Sequence, residues 1–198
     1  QSRSSAASDV YKRQGIDSSY LLHLAVTKLS LKPLVFHVDS GWNSNIASTN
    51  IERLIERLNL DLYTEVINWK EMSDVQLSFL KSGVAHIDAP QDYSFFATLY
   101  KFANKFKIKT ILTGANFSTE CIRNPVEWMY YQSDDKQLRS IHKKFGNMRL
   151  KYFPKTHILW HKFYLPYFKR IKIIKPLNYF DYKKNSAKKL LIEKYNWK

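Results

Sequence analysis

Three short β-rich runs, set between amphipathic helical stretches, constrain this chain more than any other feature. Pro33 to Val38 (PLVFHV), Leu62 to Ile67 (LYTEVI) and Ile108 to Thr113 (IKTILT) have the composition of buried strands. Between and around them, Ser18 to Lys28, Ser44 to Asn59, Trp69 to Lys81 and Tyr93 to Phe106 carry apolar residues at helical spacing, such as Ile51, Leu54, Ile55 and Leu58 on one stripe. Strands joined through helices must run parallel, with right-handed crossovers, so the expectation is an α/β domain built on a parallel sheet. Ligands of such sheets bind at the carboxyl ends of the strands. Three polar clusters fall at such positions: Gly15 to Ser19, Asp39 to Asn43, and Gly114 to Glu120.

The first cluster, Gly15-Ile16-Asp17-Ser18-Ser19, opens a helix. Gly15 beside small hydroxyl residues lets backbone N–H groups approach phosphate oxygens, and a helix N-terminus favours negative charge. Asp17 could then hold a magnesium ion on those phosphates. The same residues also make an ordinary helix cap. The third cluster offers Gly114 for close backbone approach, Asn116 to bond a nucleotide or cap a turn, and Glu120 as a second carboxylate. His37 lies within a strand run and reads as a packed histidine rather than a catalyst.

Residues 1–14 are polar and lack apolar alternation, and Asp9 to Gln14 back-translates into a transposon adapter end. This segment reads as a non-native or disordered tail, which leaves the domain at 15–121 without its first strand. Beyond Cys121 the strand and helix alternation stops. Residues 122–198 are expected to form a basic, aromatic helical extension packed beside the sheet, with helices over Pro125 to Tyr131, Asp134 to Phe145, His157 to Lys169 and Lys184 to Tyr195. The net charge of +15 is concentrated there: residues 151–198 hold 13 basic and 2 acidic side chains. That stretch suits a phosphate backbone, a membrane surface, an acidic partner, or simply a solvated face. One cysteine excludes an intrachain disulfide and a self-contained cysteine zinc site. No apolar run reaches membrane-spanning length, and a reducing cytoplasm is the expected location.

These segments resemble the PP-loop superfamily, the N-type ATP pyrophosphatases with an adenine nucleotide alpha hydrolase-like domain, which includes NAD synthetase, GMP synthetase and asparagine synthetase. A complete loop of that type reads Ser-Gly-Gly-x-Asp-Ser, and here Gln14 stands at the first of the two Gly positions. The Gly-x-Asn-x-x-x-Glu spacing at 114–120 is similar to the second magnesium-binding segment of the NAD synthetase group. More closely, SSYLLHLAV at 18–26, KPLVFHVDSGWNS at 32–44, DLYTEVINWKEM at 61–72, ILTGANFSTECIRNPVEWMYY at 111–131 and IIKPLNYFDY at 173–182 resemble the N-acetyl sugar amidotransferases of bacterial surface-polysaccharide synthesis, which serve lipopolysaccharide O-antigen or nonulosonic acid assembly.

The resemblance implies ATP-dependent transfer of ammonia onto the acetamido group of a nucleotide-linked sugar, with a separate glutaminase subunit supplying the ammonia and with no nucleic acid partner. By position it assigns Gly15, Asp17, Ser18 and Ser19 to pyrophosphate, Asp39 to the adenosine, and Gly114 and Asn116 to the nucleotide. Asp17 and Glu120 would hold Mg2+, and Asp17 and Arg123 would be catalytic, with Asn124 beside Arg123 on a phosphate or sugar. Trp128, Tyr130 and Tyr131 would stack on a sugar ring or pack in the core. Family members carry cysteines ahead of the loop that this chain lacks, and its loop is cut in half, so the activity of the family and the competence of this chain are separate questions. A tRNA-modifying PP-loop enzyme of the lysidine or thiolation type is the alternative.

Overall fold

The computed structural model describes residues 8–11, 15–120 and 135–198. Among these residues five parallel strands form one sheet in the order β3-β2-β1-β4-β5, with β1 Ser8–Tyr11, β2 Leu34–Asp39, β3 Leu62–Val66, β4 Thr110–Thr113 and β5 Lys172–Ile174. Helices cover both faces, as an all-parallel sheet requires. On one face lie α1 (Ile16–Thr27), α2 (Asn45–Leu58) and α7 (Lys184–Tyr195), whose Leu22, Leu54 and Leu191 pack with Val35 and Leu112. On the other lie α3 (Trp69–Ser82), α4 (Ala89–Lys105) and α6 (Asp135–Phe145), whose Phe79, Phe102 and Leu138 pack with Phe36, Val38 and Ile111. Successive residues of β2 and β4 thus feed opposite cores, the period-two alternation of a strand buried on both sides.

Local chemistry sets the element ends. Ser44 accepts from the Ala47 N–H to start α2, and Asn59 ends it in a left-handed conformation (φ 49°). Asn68 caps α3 through the Glu71 N–H, and Gly83 closes it at φ 68°. Helix α1 differs in being buried nearly all round, from Ser18 to Ala25, because the sheet takes one side and α7 the other. The His23 Nδ1 and Tyr195 hydroxyl, 2.6 Å apart, tie those two helices together.

Two sequence expectations are corrected. A strand does stand upstream of Gly15: Ser8–Tyr11 occupies the centre of the sheet, with Val10 opposite Val35 on one side and Leu112 on the other. Strands β2 and β4 present facing rows of backbone donors and acceptors that must be paired, and that slot recruits a short segment whose own pattern is too weak to announce a strand. The second correction concerns the region after residue 121. It is not purely helical, because Lys172–Ile174 adds β5 in parallel to β4, opposite Thr110 to Leu112. The helix expected at His157 to Lys169 is a π-helical run, Trp160–Phe168, in which Pro166 has no N–H to give. The expected helix over Pro125 to Tyr131 lies outside the described residues.

Candidate functional site

In this strand order the chain moves outward from β1 through β2 to β3, then returns to the other side of β1 with β4. The reversal between β1 and β4 is the topological switch point, where the connections leaving adjacent strands part. Helix α1 starts on one side of it. The β4 exit, Gly114-Ala115-Asn116, runs along the other.

The two sides are in contact. A Cβ on Gly114 would sit 2.7 Å from the Ser18 backbone N and 2.9 Å from its Cα, so only glycine lets β4 pass this close to the first turn of α1. Asn116 is buried, and its Nδ2 donates to Asp17 Oδ2 and to the Gly114 carbonyl, both at 3.1 Å. The Tyr182 hydroxyl donates to the other Asp17 oxygen. Burial first, and then the Asp17 carboxylate, push the Tyr182 phenol well above its ordinary range, so it stays a donor at all working pH values. Gly15 precedes α1 in an extended conformation with no side-chain cap, which leaves the first-turn N–H groups to other acceptors. Ser19 is 1% exposed, and its hydroxyl has no hydrogen-bond partner among the described residues. A buried hydroxyl without a partner costs about 1–3 kcal/mol.

Asp39 ends β2 next door, its Oδ1 accepting from the Gly41 N–H at 2.8 Å. Gly41 turns at φ 88° beneath the Trp69 ring, and Trp42 meets Trp69 edge-on with centroids 4.8 Å apart. His37 is buried, with Nε2 3.1 Å from Asn43 Nδ2, which is a packed histidine. Thus Gly15, Asp17, Ser18, Ser19, Gly114 and Asn116 come together, and Asp39 stands at the neighbouring strand end. Glu120 closes the single helical turn α5, Phe117–Glu120. Its side chain lies outside the described residues, as do Arg123, Asn124, Trp128, Tyr130 and Tyr131.

Sequence reasoning missed Tyr182 and Asn178. Asn178 Oδ1 accepts from the Phe117 N–H at 2.9 Å and so braces the start of α5. Both lie on the 3-10 turn after β5 or just beyond it. Their signal was present in IIKPLNYFDY, a segment marked by resemblance with no role attached.

Among the described residues no group of three or more His, Cys, Asp or Glu side chains could cage a metal. Magnesium does not need such a cage, since it keeps several waters and takes one or two carboxylates plus phosphate oxygens. Asp17, held by two neutral donors at a helix start, fits that role.

No family model and no curated protein matches the chain. Among solved structures it is similar to a predicted subunit of tRNA methyltransferase from Methanocaldococcus jannaschii, with 14% identity, 94% of this chain and 76% of that chain covered, and a TM-score of 0.47.

Proposed function

We propose that the switch point between β1 and β4 binds ATP with magnesium, and that the chain is an ATP-dependent N-acetyl sugar amidotransferase of the PP-loop type. The observation that carries the ATP reading is the join at Asp17: a carboxylate at the start of α1, held by Asn116 and Tyr182, beside the unpartnered Ser19 hydroxyl and the glycine-only approach of Gly114. The choice of acceptor rests on the sequence resemblance.

In that reading the N–H groups at the start of α1 and the Ser18 and Ser19 hydroxyls take the pyrophosphate oxygens. Asp17 would hold magnesium, which supplies charge neutralisation to the departing pyrophosphate. Asn116 and Tyr182 keep the carboxylate aimed. The acetamido oxygen attacks the α-phosphorus of ATP, and the bond to pyrophosphate breaks. Ammonia then adds to the activated carbon and AMP leaves, giving an acetamidino group. An amide oxygen is a poor leaving group, so this activation is what the chemistry demands.

The test supplies the chain with ATP, magnesium, ammonia and a UDP-linked acetamido sugar. The expected products are AMP and pyrophosphate, and orthophosphate instead would sink the reading. Asp17→Asn should abolish magnesium-dependent release, while an unchanged rate would remove Asp17 from the metal site. Pyrophosphate release that requires tRNA and ignores the sugar would replace this reading with tRNA modification.

A further inference from the structure

From Lys136 to Phe180 the chain contains no Asp or Glu, yet carries twelve lysines and arginines. Within that stretch the π-helical run Trp160–Phe168 turns His161 and Leu165 into the core, where the His161 ring stacks on Tyr100 at 5.5 Å. At about 4.4 residues per π turn, the face opposite that pair is made by Leu159, Phe163, Tyr167 and Phe168. These four are 62, 57, 73 and 76% exposed. Single exposed apolar residues are ordinary, but four on one helical face are not.

The face is not loosely hung. The chain leading into it is anchored by three side chains of the body: Asp74 binds the Asn147 and Met148 N–H groups, Glu71 those of Lys151 to Phe153, and the Tyr93 hydroxyl both the N–H and the carbonyl of Thr156. A rigid apolar ridge on a strongly cationic segment, where the neighbouring acid Asp135 is paired with Arg139, suits a negatively charged partner that also offers hydrocarbon.

Two such partners exist in principle, and the ring geometry separates them. Single-stranded nucleic acid needs free aromatic faces on which bases stack. Here the rings already face one another: Trp160 with Tyr164 at 4.4 Å and 19°, Tyr164 with Phe168 at 5.7 Å and 22°, and Phe163 with Tyr167 at 6.3 Å and 27°. Lys169 also sits 5.5 Å over Tyr164. Leu159 cannot stack on a base at all. A bilayer asks only that apolar edges enter the acyl boundary while lysines reach the headgroups. Independently of the activity above, we propose that the Leu159, Phe163, Tyr167 and Phe168 face, with Lys162 and Lys169 beside it, docks the protein on an anionic membrane surface.

The test is co-sedimentation of the full chain with vesicles of phosphatidylcholine alone or with about one third phosphatidylglycerol, together with binding to a single-stranded RNA 20-mer. The expected result is binding to the anionic vesicles only, weakened by raising salt. Phe163→Ser with Phe168→Ser should lower that partitioning at least about tenfold, with an unchanged far-UV circular dichroism spectrum. Lys162→Glu with Lys169→Glu, which leaves the four apolar side chains of the ridge in place, should lower it as well. Equal binding to neutral and anionic vesicles, no binding to either, or insensitivity to the Phe substitutions would overturn the proposal. So would RNA binding that the Phe substitutions abolish while vesicle binding stays.

Discussion

Glu71 and Asp74, one turn apart on α3, hold the chain from Asn147 to Phe153 almost entirely through its backbone N–H groups, and Glu71→Gln tests how much stability that clamp contributes. Glu71 is 4% exposed. Its Oε1 accepts from Lys151 and Tyr152 at 2.9 and 3.0 Å, and its Oε2 accepts from Tyr152 at 2.9 Å and from Phe153. Glutamine keeps the shape but turns one acceptor into an NH2, which then points at N–H donors. At least one buried donor is left unsatisfied, at about 1–3 kcal/mol, and the remaining bonds lose their charge assistance, so the total cost is about 2–4 kcal/mol. Against a typical domain stability of about 5–15 kcal/mol, that is a large fraction. Burial alone would raise the Glu71 pKa, but the N–H bonds from Tyr152, Lys151 and Phe153 outweigh it and hold the carboxyl below its ordinary value.

The sign of the pH effect follows from that depressed pKa. The stabilisation is fully present above the unfolded pKa of about 4.3 and is lost as pH falls through the lower folded value. Urea unfolding at pH 7 should therefore show the variant less stable by about 2–4 kcal/mol with an unchanged slope. As pH falls below about 4.3 the advantage of the wild type over the variant should shrink. A difference below about 0.5 kcal/mol at pH 7, or one that stays constant down to pH 3, would refute the clamp.

Two further substitutions probe the site and the joint behind it. Gly114→Ala places a methyl against the Ser18 backbone, which cannot swing aside, so it should cost about 1–3 kcal/mol. It should also lose any thermal stabilisation by magnesium and ATP that the wild type shows, and unchanged melting with retained ligand stabilisation would contradict the close approach. Leu191→Ala empties a fully buried position where α7 covers α1, at an expected cost of about 2–5 kcal/mol in chemical denaturation. A cost near zero would mean α7 is not part of the core.

The sequence alone determined the class of fold and the strand ends at which its polar clusters gather. Val35, Phe36, Ile111 and Leu112 are apolar on consecutive positions because helices cover both faces of the sheet, and that pattern is local enough to read. The clusters at Gly15, Asp39 and Gly114 are legible for the same reason, since strand ends are local features.

What required the tertiary structure was everything fixed by partners distant in the chain. Ser8–Tyr11 becomes a strand only because β2 and β4 leave a central slot, and Lys172–Ile174 only because β4 has a free edge. Tyr182 meets Asp17 across 165 residues, and Glu71 grips a loop some eighty residues away. Backbone donors look alike in any sequence, so which carboxylate they satisfy is decided by packing.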